Sequence, residues 1–153
     1  MNNLIIRKAI KDDISDIAFH ISNTYEELNL WTDWRYDKIM SEIKLGFEDN
    51  VPENIKPIFF IASIDNKIVG VASISVSYMA PDVWELSWAT VRKDFQRKGI
   101  HTKLVNSRLE YIKTINESVT VFVLAKHPEL FKKLGFTYIT KRDKTYSFLY
   151  LKY

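Results

Sequence analysis

The stretch "VRKDFQRKGIHTKL", Val91 to Leu104, carries five cationic side chains, one carboxylate and a single Gly in a chain that has only four. Before it, "VWELSWATV" has the β-branched and aromatic content of a strand. After it, Ile100, Leu104, Val105, Leu109 and Ile112 recur at helical spacing. A helix is therefore predicted to begin near Arg97. Such a strand, turn and helix make an anion site, because the unpaired amides of the first helical turn and the helix dipole point the same way. Gly99 lets backbone approach a ligand without a Cβ in the way, and Arg97, Lys98 and Lys103 add charge-assisted contacts at the rim. A solvated basic helix start is the plainer alternative. The stretch is not a nucleotide P-loop, since Gly-x4-Gly-Lys-Ser/Thr is absent, and it is not a dinucleotide fingerprint.

Working outward, Leu4 to Ile10 reads as a short strand. Asp12 or Asp13 can cap a helix whose buried face is Ile14, Ile17, Ala18, Ile21, Tyr25 and Leu28. A second helix is read from Tyr36 through Ile39, Met40 and Ile43 to Phe47, and "EDNVPENIKP" ends it. "PIFFIASI" and "KIVGVASISVS", joined at "DN", form a hairpin. The strand "SVTVFVL" after the helix of the opening stretch implies a parallel pair with a right-handed crossover. His127 and Pro128 start a short helix that Lys132, Lys133 and Gly135 finish. "FTYIT" and "TYSFLYLK" close the chain as an antiparallel pair. With no linker or repeat, residues 1–153 read as one mixed α/β domain of order β-α-α-β-β-β-α-β-α-β-β.

Composition narrows the function. A chain of 153 residues, 46% apolar and 27% charged, is an ordinary globular protein, and its net charge of +3 permits anionic ligands without giving an overall basic surface. The absence of Cys excludes disulfides and thiol chemistry. The three His, at 20, 101 and 127, are too scattered to suggest a metal site, so none is expected. "MNNLIIRKAIKDD" lacks the apolar core of a signal peptide and no run approaches a membrane span, so cytoplasmic residence is the expectation.

Gln96, Arg97, Lys98, Gly99, Ile100 and His101 follow the pattern Gln/Arg-x-x-Gly-x-Gly/Ala except at the last position, and Val91 supplies its apolar strand end. With the "IRKAIKDDISDI" opening, the order of elements and the late "ELFKKLGF" segment, essentially the whole chain resembles the GNAT superfamily of N-acetyltransferases. The resemblance implies a splayed central sheet flanked by helices, in which the strand 83 to 91 parts from the strand 118 to 124 and the pantetheine arm of acetyl-CoA lies in the gap. Main-chain groups of Ala89, Thr90 and Val91 would pair with the pantetheine amides, much as an added strand would. The loop Gln96, Arg97, Lys98, Gly99, Ile100, His101 and Thr102 would hold the pyrophosphate.

Acetyl transfer from a thioester to an amine needs a neutral nucleophile, a stabilised oxyanion and a proton for the departing thiolate. Glu85, six residues before Val91, matches the general-base position of the histone-acetylating branch, and strand alternation puts it on one face with Ser87, Ala89 and Val91. Many members place a proton-donating Tyr where this chain has Phe131. Water, His127, Tyr146 or Tyr138 would then substitute, with Tyr138 as the candidate acid. His101 stands where the family has a small residue, so its amide is expected on phosphate and its ring at the rim. His20 lies off its helix's apolar stripe and is expected in solvent.

The resemblance also implies an acceptor pocket between the first two helices and the loop "YMAPD". Trp31, Trp34, Tyr36 and Tyr78 would wall it, and Glu26, Glu27, Asp33 or Asp37 would attract a cationic amine. The expected partner is a small-molecule or peptide amine; a homodimer is compatible with the sequence, a membrane is not expected. Two rival readings stand at this point. One is a catalytically silent acyl-CoA-binding sensor, suggested by Phe131 and His101. The other is a nucleic-acid module using the basic helix 97–113, which the lack of further basic clusters disfavours.

Overall fold

The computed structural model describes residues 3–27 and 33–153. Its elements, in order, are β1 (Ile5–Lys8), α1 (Ile14–Glu27), α2 (Asp33–Gly46), β2 (Ile58–Ile64), β3 (Lys67–Val76), β4 (Val83–Val91), α3 (Ile100–Ile115), β5 (Thr120–Ala125), α4 (Pro128–Lys133), β6 (Thr137–Lys141) and β7 (Ser147–Lys152). The order is the one expected, and the strands form one seven-stranded sheet arranged β1-β2-β3-β4-β5-β7-β6. Every neighbouring pair is antiparallel except β4 and β5, which α3 connects as a parallel crossover.

Two apolar layers hold the helices to the sheet. Ile17 and Ile21 of α1 and Ile39 and Ile43 of α2 pack with Phe59, Ile61 and Val71 on one face. On the other face Ile100, Leu104, Val105, Leu109 and Ile112 of α3, with Phe131 of α4, cover Ile74, Trp84, Leu86, Val121, Val123 and Leu149. The helical stripe read from the sequence is thus the buried face of α3. Gly70 of β3 permits this approach, because a Cβ there would stand 3.2 Å from Leu104 and 3.3 Å from Ile100.

Local chemistry sets the element ends. Asp65 (φ 48°) and Asn66 (φ 61°) take the paired left-handed conformations of the tight hairpin between β2 and β3. Asp13 does not cap α1 but accepts the Ile10 N–H at 2.8 Å and grips Arg7 through both oxygens, closing a 3-10 turn over Lys11–Asp13, so the α-helix starts at Ile14. The Arg7 guanidinium holds the Asp13 carboxyl below its ordinary range. Pro128 opens α4 and Gly135, at φ 90°, ends it. His127 is the N-cap residue of α4, as its place before Pro128 predicts, and its side chain makes no capping hydrogen bond.

The sheet is irregular where it matters for a ligand. Ser73 of β3 faces Ser87 of β4, yet Val71 faces Thr90, so β4 carries one residue more than β3 between those pairs. Trp88, at φ 47°, absorbs the extra residue as a bulge. On its other side β4 pairs with β5 from Val83↔Thr120 to Leu86↔Val123 and then the register ends. Beyond Leu86 the two strands form a fork.

Candidate active site

At the mouth of the fork the chain turns from β4 into α3 through a 3-10 turn, Lys93–Phe95, and two left-handed residues, Arg97 (φ 62°) and Gly99 (φ 76°). The helix starts at Ile100, three residues later than its cationic lead-in suggests, because the αL backbone of Arg97 and Gly99 is incompatible with an earlier start. The amides of Ile100, His101 and Thr102 therefore form the first turn, which has no carbonyl partner within the helix. A Cβ built on Gly99 would meet nothing within 4 Å, so the space in front of that turn is open. This is a backbone anion site at the end of β4.

The side chains around it do more holding than binding. Gln96 donates from Nε2 to the Val91 carbonyl at 3.1 Å and so ties the loop to the end of β4. Arg92 pairs with Asp94 at 2.8 Å, and Arg92 and Lys98 both lie over the Phe95 ring, at 5.2 and 4.9 Å. His101 differs from expectation: its imidazole is partly buried and packs edge-on against Phe131, with centroids 5.9 Å apart and planes at 82°. Burial, then the charges of Arg108 and His127, lower its pKa to about 4. The ring is thus neutral at pH 7 and points inward, not along the rim.

The bulge changes which residues share the face of Glu85. Cross-strand pairing puts Glu85 with Ser75 and Ser87 with Ser73, whose hydroxyls meet at 2.9 Å. Past Trp88 the alternation is inverted, so Thr90, opposite Val71, joins that face. The expectation that Ala89 and Val91 lie there fails because simple alternation does not survive an inserted residue. Glu85 is exposed. Its partner across the parallel pair is Phe122, whose own partner on β7 is Tyr150, and those two rings lie 6.3 Å apart. Phe122 and Tyr150, unmarked in the sequence, thus form an aromatic surface next to Glu85.

The other expected residues are placed less favourably. Tyr138 lies opposite Leu149, on the α4 face of the sheet and two strands from β5, 43% exposed, with the Lys132 ammonium 5.8 Å from its ring. It is on the opposite face from Glu85 and is not brought to the fork. Tyr78 is 98% exposed in the turn between β3 and β4, and Tyr36 is exposed on α2. Trp31 and the side chain of Trp34 lie outside the described residues. Phe131 is buried between His101 and Phe136 and carries no proton to give.

His20 is also a correction. It is 5% exposed, and its Nε2 meets the Thr90 hydroxyl at 3.1 Å, linking α1 to the last turn of the fork. Burial, against the Thr90 contact, brings its pKa to about 4. The same ring borders an open cavity of about 460 Å³ shared with Asp16, Asn23, Lys67 and Arg92. Among the described residues no three His, Asp or Glu stand together as a metal site, and no helix is long and apolar enough to cross a membrane.

A mixed sheet that parts between two parallel strands, with an amide-lined helix start at the mouth, defines an α/β protein able to hold an extended anionic ligand within its own sheet. The chain belongs to the acetyltransferase (GNAT) family, whose profile matches residues 21–136. Solved structures show the same fold. A PaiA N-acetyltransferase from Thermoplasma acidophilum, in complex with coenzyme A, is 14% identical with a TM-score of 0.73 over 99% of both chains. The GNAT family N-acetyltransferase YhbS from Escherichia coli, also with coenzyme A, is 17% identical, TM-score 0.73, over 98% of this chain and 81% of that one. A GNAT family acetyltransferase from Staphylococcus aureus is 16% identical, TM-score 0.70, over 97% and 98%. No curated protein matches the chain.

Proposed function

We propose that the protein is an acetyl-CoA-dependent N-acetyltransferase that passes the acetyl group to a primary amine by direct attack in a ternary complex. The observation that carries this reading is the fork between β4 and β5, open beyond Leu86 and ending at the unpaired amides of Ile100, His101 and Thr102. A pyrophosphate at those amides lets the peptide-like arm of the coenzyme run back along Val91, Thr90 and Ala89 as a missing strand would, which brings its sulfur end to the base of the fork. The coenzyme seen with the Thermoplasma and E. coli proteins supports the assignment.

Glu85 is the candidate base. It lies just before the base of the fork, is exposed to an incoming amine, and has the Phe122 and Tyr150 rings beside it for the acceptor's carbon skeleton. The amine attacks the thioester carbonyl, its proton passes to Glu85 directly or through water, and the carbon–sulfur bond breaks to release the coenzyme thiolate. The acceptor class is a small-molecule or peptide amine.

A thiol-release assay with a panel of amines tests the function. Turnover on any amine supports it; tight acetyl-CoA binding with no turnover on all of them favours the sensor reading, to which the buried Phe131 lends some weight. Glu85→Gln is expected to cut kcat by roughly 10²-fold or more and to remove the limb of the pH profile that reports the base. Wild-type rates across the pH range would remove Glu85 from the reaction.

A further inference from the structure

Arg108 lies on α3 and is 0% exposed. Among the described residues no carboxylate pairs with it. Its side chain runs back along the helix, Nε donating to the Leu104 carbonyl at 3.1 Å, and Nη1 reaches the sheet to donate to the Ser73 carbonyl at 2.9 Å and, at 3.4 Å, to that of Ser87. Those two residues are the last matched pair before the bulge, and Ser87 is the first residue of β4 beyond its pairing with β5. The guanidinium therefore sits where β4 is both bulged and released. Nη2 is buried and has no partner among the described residues. A buried cation held by neutral carbonyls alone, with both N–H groups of Nη2 unsatisfied, is costly unless it serves a negative charge that appears nearby.

Such a charge arises in the reaction. If the coenzyme's arm runs from the helix start along β4, its sulfur comes to the base of the fork, and when the carbon–sulfur bond breaks the electron pair stays on that sulfur. Phe131 cannot protonate it, and Tyr138 is on the outer strand. We propose that Arg108 is the residue that stabilises the departing thiolate: it fixes a positive charge beneath the base of the fork and, through the carbonyls of Ser73 and Ser87, holds the bulge that positions the thioester there. The thiolate leaves as an anion and takes its proton from solvent afterwards. The field of a cation in a dry interior acts over several ångströms without contact, which suits a guanidinium with no exposed surface. Burial lowers the Arg108 pKa only to about 9, so the charge is present at neutral pH. The other titratable groups around the fork are His101 on α3, His127 before α4, Arg92 at the end of β4 and, on the opposite face, His20 of α1, Glu85 and Tyr150; His101 and His20 are uncharged at neutral pH, His127 is exposed, Arg92 is paired with Asp94, and Glu85 opposes a thiolate.

This inference rests on the acetyl-CoA reading, and its test separates the two. Coenzyme A bound to the wild-type protein is titrated by the ultraviolet absorbance of its thiolate, beside Arg108→Met and Arg108→Lys, with no acceptor needed. The expected result is a bound thiol that ionises about one pH unit or more below the free coenzyme in the wild type, that returns towards the free value in Arg108→Met, and that stays low in Arg108→Lys. Equal thiol pKa values in wild type and Arg108→Met, both folded by circular dichroism, would overturn the electrostatic role. Should the wild type bind no coenzyme A, the acetyl-CoA reading fails and this inference with it. Should the thiol pKa be lowered in the wild type and return in Arg108→Met while no amine is turned over, the charge effect on the sulfur stands, but the transferase reading fails and the departing thiolate with it. Should Arg108→Met not fold, Arg108→Lys against wild type decides: a thiol pKa retained with the ammonium supports the role, and one that moves to the free value overturns it.

Discussion

Single residues in this protein are governed by partners far away in the chain. His20 looks like a solvent-facing residue on the helical wheel, yet Thr90, seventy positions on, receives it in the interior. Nothing local to "AFHISN" could signal that. Arg108 is different: it falls four residues after Leu104 and four before Ile112, inside the apolar stripe, yet a reading of that stripe by its apolar residues passes over it. Titration makes the His20 contact measurable. Its folded pKa of about 4 lies below the unfolded value near 6.5, so the unfolded chain binds the proton first and stability is lost as pH falls from about 6.5 to 4. His101 acts in the same direction. Urea melts at pH 7 and pH 4.5 are expected to differ by about 2 to 3 kcal/mol on account of His20, and His20→Gln, which can keep the Thr90 contact without a titrating ring, should remove that share and leave the one due to His101. A slope unchanged in His20→Gln would place the titrating group elsewhere.

At the level of elements, periodicity was a sound guide wherever one face is buried and a poor one where backbone geometry is special. The stripe of α3, the hairpin at Asp65 and Asn66 and the Pro128 to Gly135 frame of α4 follow directly from residue type. The bulge at Trp88 carries no Gly or Pro to announce it. It is held by tertiary contacts: the indole N–H donates to Glu42 of α2, and Tyr25 of α1 meets the ring edge-on at 6.2 Å. The start of α3 was misread for a related reason, since Arg97 takes a left-handed conformation that its residue type does not advertise. Gly99 is the one residue of that turn suited to positive φ, and its effect can be isolated because no atom crowds it. Gly99→Ala should cost about 1 to 2 kcal/mol in a chemical melt, from backbone strain alone, and should weaken coenzyme A binding by calorimetry because the strained turn no longer presents its amides in register. Wild-type affinity in a folded Gly99→Ala protein would argue against a backbone-held pyrophosphate.

The whole molecule is one sheet of two parts, β1 to β4 and β5 to β7, joined by four register pairs between β4 and β5, with α3 packed on the β1 to β4 part. If acetyl-CoA occupies the fork, it touches both halves, and ligand at about a hundred times its dissociation constant should add about 2.7 kcal/mol. For a chain of this length that corresponds to a rise of about 5 to 10 °C in melting temperature, readable by scanning calorimetry. A melt insensitive to coenzyme A would count against the assignment. The junction also bears on how the chain comes apart. Under a load pulling β1 away from β7, force passes through that short parallel seam, whose few bonds are stressed together while the longer hairpins on either side remain intact. The seam is the natural rupture line of the empty protein, and a molecule lodged in the fork works as a rivet across it, so the unfolding force seen in a single-molecule experiment should depend on the coenzyme more than its modest contact area suggests.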